Sequence, residues 1–200
     1  MLDSMKTKKE IIEFIKTGPT EQDIAHFLKE DLSILAEVYA FPNDEFICIP
    51  EYPIDDGNVD YLIMTGRSRM KIHLIEIKGA NFNFLNKYTN KINENINEAT
   101  QQIDSRSSFI DKNYEYFRRK THEYREKAES NTLNFHYLQS EKNLYVDKNK
   151  DIVVDSFIVI GGRSTNDEEE SRIRDGYERK SGYRMQLETW DSFIRQLTRE

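Results

Sequence analysis

The chain has 200 residues, a net charge of −7 and a sequence pI near 5.3, with 37% apolar residues and a mean hydropathy of −0.79. That length supports one domain with a core of its own, and the acidic balance argues against coating nucleic acid by bulk electrostatics while leaving room for a local grip. No apolar run reaches the ~18 residues of a membrane span, the opening Met1-Leu2-Asp3-Ser4-Met5-Lys6 lacks the apolar centre of a signal peptide, and the single cysteine, Cys48, rules out an internal disulfide and fits a reducing cytoplasm.

Along the chain, residues 6–16 carry a helical apolar pattern (Ile11, Ile12, Phe14, Ile15) that Thr17-Gly18-Pro19 ends. Thr20, with Asp23 three residues on, caps a second helix whose apolar face is Ile24, Phe27, Leu28, Leu32 and Leu35. That helix is expected to run to about Tyr39, with Glu37 near its end. Residues 46–54 predict a strand, and Pro50 and Pro53 place it at an edge or a bend.

Two apolar strands follow, Val59-Asp60-Tyr61-Leu62-Ile63-Met64 and Ile72-His73-Leu74-Ile75-Glu76-Ile77-Lys78, around a short polar loop that contains Gly66. A hairpin symmetric about Ser68 sets Asp60 opposite Glu76. Side chains alternate in a strand, so Glu76 and Lys78 share a face.

Beyond a loop of residues 79–87, Ile92, Ile96, Ala99, Ile103, Phe109 and Ile110 form one buried stripe of a long helix continuing towards Ala128, long enough that a break is expected. Its second half is basic and aromatic, with Arg118, Arg119, Lys120, Arg125 and Lys127 among Tyr114, Tyr116 and Tyr124. This is either an ordinary solvated face, a phosphate-contacting arm or a subunit interface.

Asp151-Ile152-Val153-Val154 and Phe157-Ile158-Val159-Ile160 read as a central strand buried on both faces. Asn166 caps a helix opening on four acids, residues 184–188 form a last strand, and Thr189 caps a closing helix with Trp190, Phe193, Ile194 and Leu197. The plan is a mixed sheet with helices against it.

Three charges converging on an apolar hairpin are costly unless they are used. Asp60, Glu76 and the Ile77 carbonyl offer oxygens to Mg²⁺, which keeps several waters and needs few protein ligands. Lys78 can orient a water or stabilise transition-state charge beside a phosphodiester. Asp…Glu-x-Lys alone is a weak pattern, shared with surface strands, but here the charges end a buried strand, where sites tend to lie.

Glu37 is either a further cation ligand or a surface carboxylate. Gln102, on the following helix, either hangs over the site or faces solvent. The four histidines show no ligand spacing, and His73 alternates away from Glu76. Gly161-Gly162-Arg163 supports nucleotide binding only weakly.

Taken together, Asp60, Glu76-Ile77-Lys78, Glu37 and Gln102 resemble the PD-(D/E)XK nuclease superfamily, with Val59 where a proline often stands. More narrowly, Phe27-Leu28-Lys29-Glu30, Val59-Asp60-Tyr61-Leu62-Ile63, Leu74-Ile75-Glu76-Ile77-Lys78, Ala99-Thr100-Gln101-Gln102-Ile103, Val159-Ile160-Gly161-Gly162-Arg163 and Glu188-Thr189-Trp190-Asp191-Ser192-Phe193-Ile194 resemble the C-terminal nuclease domain of Shedu antiphage defence proteins, from about residue 25 to 199. Trp190 stands where that family usually has Tyr.

The resemblance implies an α/β (α+β) domain with a restriction-endonuclease-like mixed central sheet flanked by helices. It implies a nuclease domain over residues 25–200 behind a helical extension of residues 1–24, in a compact member or a fragment. It also implies a homo-oligomer that cleaves or nicks phage or plasmid DNA with Mg²⁺ or Mn²⁺. Asp60 and Glu76 would ligate metal, Lys78 would be catalytic, and Glu37 and Gln102 would assist. The rival readings are a non-catalytic nucleic-acid-binding module and an oligomeric scaffold on the same fold.

Overall fold

In a computed structural model describing residues 5–181 and 184–200, the strands are β1 (Phe46–Ile54), β2 (Gly57–Thr65), β3 (Lys71–Ile77), β4 (Tyr137–Gln139), β5 (Val153–Ile160) and β6 (Met185–Glu188). The helices are α1 (Lys8–Lys16), α2 (Glu21–Glu30), α3 (Ser33–Tyr39), α4 (Glu94–Lys112), α5 (Tyr114–Glu129), α6 (Asp167–Lys180) and α7 (Trp190–Gln196). Residues 1–4, on which the absence of a signal peptide was partly read, lie outside the described residues.

The six strands form one mixed sheet in the order β4-β1-β2-β3-β5-β6. β1, β2, β3 and β4 pair antiparallel, whereas β5 runs parallel to both β3 and β6. This mixed sheet flanked by helices is the architecture expected from the sequence, and it is compatible with a restriction-endonuclease-like fold.

Alternation along each strand divides the core in two. Leu62, Met64, Ile72, Leu74, Phe157 and Val159 face the layer of α4 and α5. Tyr61, Ile63, Ile75, Ile77, Ile158 and Ile160 face α1, α2, α3 and α7. β5 is therefore apolar on both sides, as a strand between two parallel partners should be.

The prolines of β1 also find a reason. β4 pairs only with Phe46, Ile47 and Cys48, so Pro50 and Pro53 lie where the outer edge of β1 is open and no ladder N–H is required.

Several boundaries differ from expectation. The helix expected to reach Tyr39 divides at Asp31, whose φ of −145° leaves the helix and whose Oδ1 accepts the Ser33 N–H and hydroxyl, starting α3. The long helix breaks at Asn113 (φ −125°, ψ 35°), the end of α4 and the start of α5. β4 is three residues long and carries no periodic signal. The expected division between residues 24 and 25 falls inside α2, and Ile11 and Ile15 of α1 are buried in the same core as Ile24 and Leu28. Among the described residues, no helix is long and apolar enough to cross a membrane.

Candidate active site

The hairpin brings Asp60 and Glu76 side by side. The β2–β3 register pairs Tyr61 with Ile75 and Leu62 with Leu74, so the next pair outward is Asp60 with Glu76. Both lie on the face of Leu62 and Leu74, beneath α4. Asp60 Oδ2 accepts the Ile77 backbone N–H at 2.7 Å, which ties the two strand ends together. Glu76 is only 7% exposed.

Lys78 follows β3 directly, and its backbone is held at both ends. Its N–H donates to Ile160 O at 2.8 Å, and its carbonyl accepts the Trp190 indole N–H at 2.8 Å. In a parallel ladder successive residues point their backbone groups to opposite neighbours. Lys78 points towards β5, so the N–H and carbonyl of Ile77 point towards β2, where that N–H meets Asp60. The Ile77 carbonyl therefore lies on the carboxylate side, as a third oxygen donor. Gly161 permits this approach, since a Cβ there would lie 2.7 Å from Lys78 Cβ.

The Lys78 ammonium meets Glu21 Oε2 at 3.1 Å. Sequence reasoning missed Glu21. The Thr20–Asp23 capping box fixes the start of α2 and makes Glu21 its first residue. The Ala80 N–H then donates to Pro19 O at 2.8 Å and docks that helix start against the chain leaving β3. The cap was legible in the sequence; the docking was not.

Glu51 adds a further acid. It falls between the register pairs Pro50–Tyr61 and Tyr52–Val59, across β1 from Asp60, and its φ of +52° turns it out of the ladder to pair with Lys29.

Burial and crowding raise the pKa of both hairpin carboxyls. For Asp60 burial dominates, opposed by the Ile77 N–H and by Lys78. For Glu76 burial leads and the adjacent Asp60 charge adds to it, against Lys78 and the Asp60 backbone N–H. Glu21 pushes both further in the same direction. Such a pair favours holding a proton between its members, or a cation that takes the proton's place.

The donor set fits a hard divalent cation: two carboxylates and a carbonyl, all oxygen, with room for water ligands. Among the described residues no three His, Cys, Asp or Glu side chains converge as a metal cage, so the protein would contribute these three oxygens and little more.

Two expected members lie elsewhere. Glu37 shares a cleft with Phe46 and Tyr137. Phe46 pairs with Thr65, at the far end of β2 from Asp60, roughly 17 Å away at about 3.4 Å per residue. There Glu37 accepts from the Arg199 guanidinium and from the Thr198 and Arg199 N–H groups. Burial pushes its pKa up, but these donors outweigh it and hold the carboxyl below the ordinary range.

Gln102 is exposed on α4, away from the stripe of Ile96, Ala99 and Ile103, because adjacent helical residues diverge by about 100°. His73 points away from the pair, as its alternation implies, and is buried. Its Nδ1 lies 2.7 Å from Ser156 Oγ, and burial lowers its pKa to about 4.

No curated protein matches the chain. The family described as Shedu protein SduA, C-terminal, matches residues 18–194, which takes in Glu21, both hairpin strands, Lys78 and the Trp190 donor. The match covers most of the sequence, and the chain belongs to the Shedu SduA C-terminal family.

Proposed function

We propose that the protein is a Mg²⁺- or Mn²⁺-dependent DNA endonuclease that cleaves or nicks invading DNA in antiphage defence. The observation that carries this reading is the Asp60–Glu76 pair, side by side on adjacent strands with Glu76 buried and Asp60 half-buried, with raised pKa values and with Lys78 on the same face at the strand end. Membership of the Shedu family supports the defence role, and assembly as a homo-oligomer is proposed on that membership alone.

In phosphodiester hydrolysis a water oxygen bonds to phosphorus while the bond from phosphorus to the leaving sugar oxygen breaks. A divalent cation bound at the hairpin would neutralise charge on the scissile phosphate. Asp60, Glu76 and the Ile77 carbonyl would hold it. The Ile77 N–H bond to Asp60 and the burial of Glu76 hold these oxygens in place, so little reorganisation is needed when substrate arrives.

Lys78 Nζ carries three donors. It can hold the attacking water or a non-bridging phosphate oxygen, and Glu21 keeps the ammonium beside the carboxylates until substrate displaces that contact. The Trp190 indole and Ile160 O fix the Lys78 backbone, so the ammonium swings from a rigid base.

The test is nicking of supercoiled plasmid with Mg²⁺ or Mn²⁺ by the parent, Asp60→Ala and Lys78→Ala. The parent should nick and both variants should fail. Equal activity in both variants would overturn the assignment of the site. DNA binding by the parent without turnover in either metal would favour a binding module on this fold.

A further inference from the structure

The chain that leaves Lys78 carries a second feature. Residues 79–93 contain no acid in a protein of net charge −7, and they carry Lys87 and Lys91. Between these, Tyr88 is 86% exposed, the most exposed large hydrophobic side chain among the described residues. Lys87 Nζ sits 5.3 Å from its ring centre.

An exposed aromatic on a slack loop would mean little, but this loop is built. Asn86 Oδ1 accepts the N–H groups of Tyr88 (3.0 Å) and Thr89 (3.2 Å). Asn86 O accepts the Asn90 N–H, and Asn86 N–H donates to Lys91 O, both at 2.8 Å. Asn90 takes φ +53° to close the turn, as asparagine tolerates. Beneath it, Phe84 and Leu85 are buried and Leu85 bridges to Ile92.

The base of the loop is clamped to the strand end of the site. Gly162 N–H donates to Gly79 O at 2.8 Å, and Phe84 N–H donates to Arg163 O at 3.0 Å. From Phe84 the four residues to Tyr88 reach at most about 14 Å. Acids near this loop are Glu94, exposed three residues beyond Lys91, and the four that open α6, Asp167, Glu168, Glu169 and Glu170. Of these, Glu169 is taken up by Arg172 and Asn90, Asp167 by Arg195, and Glu170 by Ser164, Thr165 and Asn166.

A rigidly displayed aromatic ring between two lysines, beside a phosphodiester-cleaving site, matches the chemistry of base stacking with phosphate contacts on either side. We propose that residues 86–91 are a nucleic-acid contact in which Tyr88 stacks on an unpaired base and Lys87 and Lys91 take the neighbouring phosphates. The ligand class is thus DNA with a single-stranded stretch. The choice of DNA rests on the nuclease reading above, but the test needs no cleavage.

The experiment is fluorescence anisotropy of the full chain with a labelled oligothymidylate and with a blunt duplex of equal length, in EDTA and again in Ca²⁺. Tyr88→Ala should weaken oligothymidylate binding about 10-fold while changing duplex binding less than about twofold. Tyr88→Phe should bind as the parent does, since it keeps the ring. Lys87→Ala and Lys91→Ala should each lower the slope of log affinity against log salt by about 0.7 on the single strand.

Parent-like oligothymidylate binding by Tyr88→Ala would overturn the proposal. So would equal losses on both probes, or no nucleic-acid binding by the parent. The two readings fail separately. Cleavage surviving Lys78→Ala would remove the nuclease reading and leave a Tyr88-dependent binding effect standing. Cleavage lost in Lys78→Ala with no Tyr88 effect would remove this proposal alone.

Discussion

Two clusters of buried and half-buried carboxylates lie well apart along the β2 strand, and they are built in opposite ways. At the Arg199 end, Asp31 and Glu37 are matched donor for donor. One guanidinium reaches both, Ser33 and the backbone N–H groups of Lys6, Thr198 and Arg199 complete the set, and the Glu37 carboxyl is held below its ordinary pKa. At the hairpin end, Asp60 and Glu76 crowd each other under burial, and Lys78, the cation beside them, is shared with Glu21. The first cluster is finished as it stands, whereas the second is short of positive charge. Buried acid alone does not mark a site; a deficit of donors around it does.

The largest test of this contrast is catalytic. Asp60→Asn, Glu76→Gln and Lys78→Ala should each lower plasmid nicking by about 10³-fold or more, whereas Glu37→Gln should leave the rate per folded molecule within about twofold. An equal loss in Glu37→Gln would erase the distinction between the clusters.

Stability should respond in the reverse sense. Arg199→Met strands two buried carboxylates and should cost about 3–5 kcal/mol in urea unfolding, with nicking by the folded fraction preserved. Next comes His73. Its folded pKa of about 4 lies below the ordinary value, so the unfolded chain binds the extra proton. Stability should therefore fall as pH drops from about 6.5 to 4, by on the order of 2–3 kcal/mol. His73→Leu should lack that part of the slope.

The hairpin carboxyls carry the opposite sign. Their folded pKa values are raised, so the stability they contribute is present below the unfolded carboxyl value and is lost as pH rises through the folded one. Glu76→Gln should then melt above the parent at pH 8, by about 1–2 kcal/mol, and match it near pH 4. Added Mg²⁺ should raise the melting temperature of the parent and not of Glu76→Gln. The smallest effect belongs to Gln102→Ala, which should shift stability by less than about 0.5 kcal/mol and leave nicking unchanged.

What could be read from the sequence follows from range. Asp60 opposite Glu76 needed only a hairpin centred on Ser68, a local inference that the register bears out. The capping boxes at Thr20 and Thr189 and the acidic start of α6 were equally local. Glu37 went astray because its partner, Arg199, lies 162 residues away and no pattern links them. Glu21 escaped for a similar reason, since its place depends on Pro19 meeting Ala80. Gln102 sits beside Ile103 in sequence, but on the helix one step carries it off the buried stripe.

The hydrogen bond from the Trp190 indole to the Lys78 carbonyl spans 112 residues. At about 5–20 residues per second, a ribosome needs roughly 6–22 seconds to travel between them. Through that interval a nascent chain has the strand but not its anchor, so the Lys78 backbone stays unheld until the helix that carries Trp190 has been made.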